Sequence, residues 1–381
     1  MLTYITVPQS PRYHQMTIDE FLFEPYNPHR SSGAGYDPTG TVTHVVEVVT
    51  SRFLSSIDVD ALIFKLIAFN EKYENLRTVP RETLYNTFFI PKSHGGLRRI
   101  DAPEPALMEA LRELKKVFED DFHALYHTSA FAYIKHRSTI DSVKRHQSNE
   151  SRWFAKLDLS NFFGSTTPEF LINQLRQIFP FSEVIKNTVG RRSLTQALDL
   201  AFLNGGLPQG TPLSPLLTNL MMIPVDFLLS NTLRDFEKNR FIYTRYADDF
   251  LISSKYDFNV RSVEQLIVET LSEFSAPFTL NRQKTRYGSS AGKNWNLGVM
   301  LNKDNQITVG YQKKKQFQAM LHNYINDRRS GNFWSREDIQ TMQGYYSFYR
   351  MVEGDTIDRI VRHINEKMQS DVLAMIKEDL R

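Results

Sequence analysis

The chain contains 381 residues, of which 41% are hydrophobic and 23% are charged, and this composition excludes wholesale disorder. The absence of cysteine excludes disulfides, cysteine nucleophiles, iron–sulfur clusters and thiolate zinc sites. Because 46 basic residues nearly balance 43 acidic ones, the net charge of +3 provides no general basic field, and any nucleic-acid contact must come from a local stripe. No apolar run is long enough for a membrane span and no secretory signal is visible, so we expect a cytoplasmic protein without a membrane partner.

The N-terminal region is the least regular part of the chain. Prolines and the run Ser31–Gly35 interrupt residues 1–55, which predicts an extension wrapped on the body, with one strand over 41–50. Beyond it, the helical spacing of apolar residues predicts helices over 58–76 and 104–126.

Strand and helix signals alternate through the middle of the chain. Apolar segments around a glycine-containing turn predict a hairpin of strands 87–90 and 97–101, tipped with Lys and Arg. Further strands are predicted over 153–159, 241–246, 250–253, 295–301 and 306–309. Further helices are predicted from Pro168, from the end of the loop 205–215 to about 229, and over 260–274. After residue 311 the pattern is helical, with a break near 329–334, which predicts a domain boundary near 310.

Three aspartates stand out because the sequence around them is apolar. Asp158 lies inside the predicted strand 153–159, and Asp248 and Asp249 form a tight turn between two apolar strands. A buried carboxylate is costly unless it is paired or binds a metal. Mg²⁺ prefers oxygen ligands, so three carboxylates from two strand segments could hold two ions for an in-line phosphoryl displacement. Taken alone, an Asp-Asp pair also suits a simple turn, and Asp158 suits a strand end that faces water.

Ordered sequence blocks run from about residue 86 to about residue 310. The most specific are Leu157–Phe163, Gly206–Leu220 and the YADD box Tyr246–Asp249; the others are Ile90–Arg98, Phe131–Ile140, Asn281–Thr285 and Leu297–Gly298. Together they resemble the blocks of reverse transcriptases. The resemblance implies an α+β right-hand polymerase with fingers, a palm of antiparallel sheet packed on helices, and a helical thumb.

The resemblance also implies a division of the chain. Residues 1–55 would be an N-terminal extension and 56–150 the fingers, with 165–205 inserted between palm segments. Residues 151–310 would be the palm, and 311–381 the helical thumb and C-terminal helices.

The resemblance implies a catalytic centre that holds two Mg²⁺ ions, with Mn²⁺ as a substitute. The implied metal ligands are Asp158, Leu159, Asp248 and Asp249. Lys284 would join the three aspartates as a catalytic residue by donating a proton to the leaving pyrophosphate, although a simple surface lysine is an equal alternative.

The nucleotide-binding residues implied by the resemblance come from three segments. Lys92 and Arg98, on the hairpin, would clamp the triphosphate of a dNTP. Phe163 would sit beneath the sugar and clash with a 2′-hydroxyl, whereas Gln209 and Gly210 would contact the nucleotide or template, with glycine allowing a close backbone approach. A solvated hairpin and a core phenylalanine are the simpler interpretations of Lys92, Arg98 and Phe163.

Basic residues gather in the helical tail near several aromatic residues. They suit a thumb that holds a primer–template duplex by its phosphates, although a lysine run alone is usually a solvated surface. These predicted nucleic-acid-binding residues are Lys313, Lys314, Lys315, Arg328 and Arg329.

Length and layout most resemble the retron reverse transcriptases. Two blocks depart from the retron pattern, because only His146 matches an Asn-Ala-x-x-His block and only Gly298 matches a Val-Thr-Gly block. At these two blocks the sequence resembles instead the bacterial defence-associated reverse transcriptases, including abortive-infection types. The resemblance implies a noncoding RNA template, a DNA product, dNTPs and an antiphage role, with a second copy or a toxic effector protein as further candidate partners.

Three alternatives remain open at the level of sequence. One is a template-independent or protein-primed DNA polymerase of the abortive-infection type. Another is a catalytically silent RNA-binding protein, which the intact set of three aspartates argues against. The third is an RNA-dependent RNA polymerase, which Phe163 disfavours.

Overall fold

The computed structural model describes residues 58–381 except 93–94, 121–125, 237–239, 291–294 and 296–297, together with three short strands nearer the N-terminus. These strands, β1 (Thr3–Thr6), β2 (Met16–Thr17) and β3 (Glu47–Thr50), form an antiparallel sheet in the order β2-β1-β3. β3 coincides with the end of the predicted strand 41–50. The rest of the predicted extension lies outside the described residues.

A helical layer and a long hairpin follow. Helix α1 (Val59–Lys72) begins at Asp58, whose carboxylate accepts a hydrogen bond from the Ala61 amide at 3.0 Å and so satisfies a free N–H of the first turn. Two short 3₁₀ turns lead to the hairpin β4 (Tyr85–Pro91) and β5 (Leu97–Pro103) and then to helix α2 (Pro105–Asp120). Of the predicted helix over 104–126, residues 121–125 lie outside the described residues.

The central sheet has four antiparallel strands in the order β7-β8-β6-β9. They are β6 (Trp153–Asp158), β7 (Ile242–Tyr246), β8 (Asp249–Ser254) and β9 (Arg286–Ser289). Strand β9 was not predicted, because its four residues include Gly288 and show no apolar alternation. The predicted α+β class, with an antiparallel sheet packed on helices, is confirmed.

One face of this sheet packs on helices and forms the main core. Ala155, Leu157, Phe250 and Ile252 alternate along β6 and β8 and are fully buried in it. Burying each large apolar side chain contributes about 1.5–3 kcal/mol to stability. The helices of this region are α3 (Thr139–Ser148), α4 (Phe162–Ser165), α5 (Pro168–Leu175), α6 (Phe181–Lys186), α7 (Thr188–Asp199), α8 (Ser214–Met221), α9 (Ile223–Asp235) and α10 (Val260–Glu273). In the described part of the chain no single helix could cross a membrane, whereas the bent pair α8–α9 has the necessary length and composition.

The C-terminal part has its own hydrophobic core. A short hairpin, β10 (Met300–Leu301) and β11 (Ile307–Thr308), leads into α11 (Tyr311–Arg329), α12 (Arg336–Met368) and α13 (Val372–Asp379). The buried residues of this second core run from Val309 to Ile376 and include no residue of the main core. A new core therefore begins where the sequence changes from mixed to helical.

Helix α12 is kinked at Glu353, where φ is −139° and ψ is 58°. The Glu353 carboxylate reaches back to the start of α11. It accepts hydrogen bonds from the Thr308 hydroxyl and the Val309 amide, each at 2.8 Å, and from Lys314 Nζ at 2.7 Å. The kink thus coincides with a carboxylate that joins α12 to the β11–α11 connection.

A buried histidine joins α3 to the central sheet. The His146 ring lies between the hydroxyl of Ser253 (Nδ1 to Oγ, 2.6 Å) and that of Thr244 (Nε2 to Oγ1, 2.8 Å). Burial, together with the smaller effect of the Arg145 charge, lowers its pKa to about 3. His146 is therefore neutral in the folded protein at neutral pH.

We expect acidification to destabilise the fold through His146. Its pKa is about 3 in the fold but about 6.5 in an unfolded chain, so below pH 6.5 the unfolded state binds a proton that the fold rejects. Between pH 7 and pH 5 this residue alone would lower the free energy of unfolding by about 2 kcal/mol. Urea unfolding at both pH values should show a smaller decrease for His146→Asn than for the wild type. An unchanged pH dependence in His146→Asn would contradict the assignment, and the exposed His363→Asn serves as control.

Candidate active site

The strand register brings the three predicted aspartates together. Asp158 on β6 and Asp249 on β8 are direct cross-strand partners, and Tyr246 on β7 is the partner of Asp249 from the other side. Opposite residues of an antiparallel pair project from the same face, so the side chains of Asp158, Asp249 and Tyr246 share one face of the sheet. We call this face, together with Asp248 in the adjoining turn, the carboxylate face. Asp248 lies in the turn between β7 and β8, and its carbonyl oxygen accepts a hydrogen bond from the Leu159 amide at 3.1 Å.

A buried ion pair supports this turn from the opposite face of the sheet. Arg245, next to Tyr246, projects into the core and is fully buried with Asp226 of α9. Its Nε and Nη2 donate to the two carboxylate oxygens of Asp226 at 2.8 and 2.7 Å, and its Nη1 donates to the carbonyl oxygen of Ala247 at 3.1 Å. Ala247 has a φ of +57°, unusual for a non-glycine residue, and the bond from Arg245 holds this strained turn.

This ion pair was not among the predicted site residues. The available signal was an arginine at a position of β7 that the strand alternation places on the core face. A charge there requires a buried partner, but the sequence gives no means of choosing Asp226 among the acidic residues.

Two lysines neutralise carboxylates on the carboxylate face. Lys284 Nζ lies 2.9 and 3.2 Å from the two oxygens of Asp158, which places the predicted proton donor inside the site. Lys156 Nζ lies 2.6 Å from Oδ2 of Asp249. Lys156 was missed by sequence analysis, although it stands two residues before Asp158 on β6 and therefore projects from the same face.

Negative charge accumulates at this face. Burial is the largest of the influences that together raise the pKa of Asp248 to about 6, and the charges of Asp249 and Asp158 contribute to this rise. In the described part of the chain no three acidic or histidine side chains are gathered closely enough to hold a metal ion as they stand. The donor set is nevertheless one of oxygens, which suits Mg²⁺, and a dication would relieve the repulsion that raises the Asp248 pKa. Leu159 has its side chain in the core, so only its main-chain carbonyl could serve as an oxygen ligand.

Phe163 lies between the core and the loop 205–215, which we call the glycine-rich loop. Its neighbour Phe162 is buried, whereas Phe163 is half-buried and meets the Phe162 ring edge-on at 5.7 Å. The carbonyl oxygen of Phe163 accepts a hydrogen bond from the Leu207 amide at 3.0 Å. Gly206 lies against the same short helix, and a Cβ there would come 2.2 Å from the Gly164 carbonyl oxygen. The loop can approach Phe163 this closely only because residue 206 lacks a side chain.

The next residues of this loop are joined to the β4–β5 hairpin. The Gln209 carbonyl oxygen accepts a hydrogen bond from the Asp101 amide at 2.7 Å. Gly210 has a φ of +118°, and a Cβ there would lie 2.9 Å from Cγ2 of Ile100. The close neighbour of Gly210 in the structure is thus the hairpin, and the close approach of a ligand to this glycine stays a prediction.

The hairpin presents its basic residues on different faces. Arg98 pairs with Ile90 across the strands and is exposed, as is Lys92 in the turn. Arg99 projects to the other side, where its Nε donates to Asp101 Oδ1 at 2.8 Å. Arg98, Lys92 and Arg99 are all exposed, but Arg99 differs in that its guanidinium group is paired with Asp101 within the hairpin.

The three predicted thumb lysines have different environments. Lys313 Nζ donates to the carbonyl oxygen of Gly298 at 3.2 Å, and burial lowers its pKa. Lys314 is bound to Glu353 at the α12 kink, whereas Lys315 is exposed. Lys314 is therefore held within the fold at the α12 kink, and its contact with nucleic acid stays a prediction.

The two predicted arginines attach the C-terminal helix. Arg328 Nη2 lies 2.8 Å from Glu378 and 2.9 Å from Asp379 of α13, and Arg329 Nη2 donates to the Ser370 hydroxyl at 2.6 Å. Arg328 therefore binds α13, whereas Arg329 binds the segment between α12 and α13. Both guanidinium groups have partners within the chain, and their contact with phosphate stays a prediction.

Comparison with known families gives one match that covers most of the chain. The family model described as "Reverse transcriptase (RNA-dependent DNA polymerase)" matches residues 90–320. The matched segment includes the carboxylate face, the glycine-rich loop and the start of α11.

The two relatives described next are each less than 30% identical to this chain. The retron Ec83 reverse transcriptase of Escherichia coli is 29% identical over 315 residues, which cover 82% of this chain and 96% of the relative. The retron Ec73 reverse transcriptase of Escherichia coli is 25% identical over 281 residues, covering 69% of this chain and 82% of the relative. Among solved structures, a telomerase from Candida tropicalis in complex with a fragment of telomeric RNA has a TM-score of 0.44 and 14% identity, covering 81% of this chain and 58% of that one.

Proposed function

This chain belongs to the reverse transcriptases, the RNA-dependent DNA polymerases, and from that premise we propose that its carboxylate face joins deoxynucleotides along a dedicated noncoding RNA template. The fold is accordingly that of a right-hand polymerase. The observation that carries the proposal is the register of β6 and β8, which makes Asp158 and Asp249 cross-strand partners with Asp248 in the adjoining turn.

The metal ligands proposed for this chain are the three aspartates and the Leu159 carbonyl. They would hold two magnesium ions, with manganese as a substitute. When bound, the ions would activate the attacking hydroxyl and neutralise charge on the triphosphate and the leaving group.

Residues of the chain itself would position the nucleotide and move a proton. Lys92 and Arg98 are exposed on the hairpin and would contact the triphosphate, with Arg98 able to bind two oxygens at once. Gln209, held to the hairpin through its carbonyl, would direct its side chain to the nucleotide or template. Lys284, exposed and already within the site, would donate a proton to pyrophosphate as it leaves.

Replacing Phe163 is expected to relax the selection of the sugar. The half-buried ring lies beside the glycine-rich loop, where it would exclude a 2′-hydroxyl by its bulk. Phe163→Ala should raise the ratio of ribonucleotide to deoxynucleotide incorporation by about tenfold or more, because a steric clash of a few kcal/mol is removed. Single-nucleotide extension with each sugar would measure this ratio, and Phe162→Leu, a change in the buried neighbour, is the control. Equal ratios in Phe163→Ala and the wild type would assign Phe163 to the core alone.

The thumb would hold the duplex with fewer cations than the sequence suggested. Lys315 is exposed and is the most accessible candidate for phosphate contact, whereas Lys313, Lys314, Arg328 and Arg329 would have to leave partners within the chain. An RNA–DNA hybrid would be held through its backbone and shape rather than its base sequence.

The proposed subdomain boundaries follow the two hydrophobic cores in part. The separate core that begins at Val309 supports a thumb over 311–381. The main core includes residues from Leu62 to Phe278, so the proposed fingers (56–150, with 165–205) and palm (151–310) share it. The division of this shared core into fingers and palm is therefore a proposal about function.

The template is the part of the proposal that a single experiment can decide. Similarity to retron reverse transcriptases over 82% of the chain supports a structured noncoding RNA template, and we extend the proposal to an antiphage role. The wild-type protein should co-purify with a structured RNA and a DNA complementary to part of it, as read by sequencing both. Short homopolymeric DNA without RNA would instead favour the template-independent or protein-primed alternative. RNA without any DNA, together with no dNTP incorporation, would indicate a silent RNA-binding protein.

A further inference from the structure

Lys156 has no assigned role, yet it touches the carboxylate face. It lies on the central strand β6, its side chain is only 19% exposed, and its Nζ is 2.6 Å from Asp249 Oδ2. Leu251 stands directly opposite Lys156 on β8, so the ammonium group must reach diagonally to Asp249. A partly buried side chain on a central strand has little freedom to leave such a contact.

Lys284 provides an informative contrast. Its ammonium group contacts both oxygens of Asp158, whereas that of Lys156 contacts one oxygen of Asp249. Lys284 is 63% exposed and lies in a turn, so it can move away when another cation arrives. Lys284 is therefore suited to an exchangeable contact with its carboxylate, and Lys156 to a fixed one.

We propose that Lys156 is a positioning residue that holds Oδ2 of Asp249, so that Oδ1 alone is presented to a divalent cation on the carboxylate face. The inference rests on the proposed function, because it assigns Asp249 to the metal site. In this arrangement the ammonium group fixes the rotation of the carboxylate and leaves one oxygen for the metal. The same positive charge also opposes binding of a dication nearby.

Two effects of opposite sign follow for a variant without this charge. Lys156→Met should bind Mn²⁺ about three- to tenfold more tightly, because a repelling charge within a few ångströms of the ion is removed. Its kcat at saturating Mg²⁺ should fall about tenfold or more, because the Asp249 carboxylate can then rotate away from its working orientation. A residue that merely supports the fold would not tighten metal binding while it slows turnover.

The test measures Mn²⁺ binding to the protein without nucleotide by electron paramagnetic resonance, and separately kcat and the Mg²⁺ dependence of primer extension. The variants are Lys156→Met, Lys156→Gln as a second neutral replacement in case the first does not fold, and Lys156→Arg. Lys156→Arg restores the charge and should return Mn²⁺ affinity to the wild-type value and recover part of kcat. Lys255→Met is the matched control, since it removes a lysine–carboxylate pair with Glu150 at the surface of the same domain.

Unchanged Mn²⁺ affinity in the neutral variants would overturn the proposal, as would weaker Mn²⁺ binding together with a lower melting temperature. Failure of the proposed function is separable from these outcomes. It would appear as a wild-type protein that does not extend primers, whereas the comparison of Mn²⁺ affinities requires no polymerisation.

Discussion

Replacing Asp248 and Asp249 together by asparagine is expected to abolish RNA-directed DNA synthesis, with a loss of about 10³-fold or more. Asparagine keeps the size of each side chain but removes the two charges that would hold the metal ions and, through them, the triphosphate. The measurement is incorporation of labelled dNTP on an RNA template with a DNA primer at saturating Mg²⁺.

This double variant should remain folded. Both side chains are only partly buried, and removing two like charges relieves the repulsion that raises the Asp248 pKa. Circular dichroism should therefore match the wild type, and RNA binding should persist. Asp60→Asn, a change at an exposed site in α1, is the control for loss of an acidic charge. Incorporation by the double variant at the wild-type rate would refute the metal assignment.

Replacing Arg245 by methionine is expected to be the most destabilising single change among those considered. It leaves the Asp226 carboxylate fully buried without its bidentate partner, and the loss of a partner in such a pair costs about 3–5 kcal/mol. The Ala247 carbonyl also loses its donor, so the turn that presents Asp248 loses a support. Chemical denaturation would measure the stability, and primer extension below the melting temperature would measure the effect on the turn.

A second variant separates the orphaned charge from the lost contacts. Arg245→Met combined with Asp226→Asn removes the unpaired carboxylate and should recover much of the stability. Activity should remain low in the double variant, because neither substitution restores the donor to the Ala247 carbonyl. Full recovery of both properties would show that Arg245 acts on the fold alone.

The main features of the fold could be predicted from local sequence signals. Strands β6, β7 and β8 are apolar runs bounded by turn residues. The turn that joins β7 to β8 at Asp248 is short enough to determine the antiparallel pairing of these two strands. By contrast, β9 gives no such signal, since its four residues form a strand only because β6 offers an edge to pair with.

The site was harder to predict where it depends on long-range partners. The aspartates could be named because motif blocks mark them, but Lys156 and Arg245 act through the strand register and through α9, which the sequence does not specify. The thumb shows the same dependence on long-range partners. A run of cations predicted phosphate contacts, whereas Lys314 and Arg328 pair with carboxylates 39 and 50 residues further along the chain.

The joint between the hairpin and the glycine-rich loop has a mechanical consequence. The Asp101 amide is bonded to the Gln209 carbonyl, and Gly210 lies against Ile100 with no room for a side chain. The hairpin bearing Lys92 and Arg98 therefore cannot separate from the loop unless this hydrogen bond breaks, so a shift of the hairpin would carry Gln209 with it. If Lys92 and Arg98 bind the triphosphate and Gln209 the template, as proposed, these two contacts would move together.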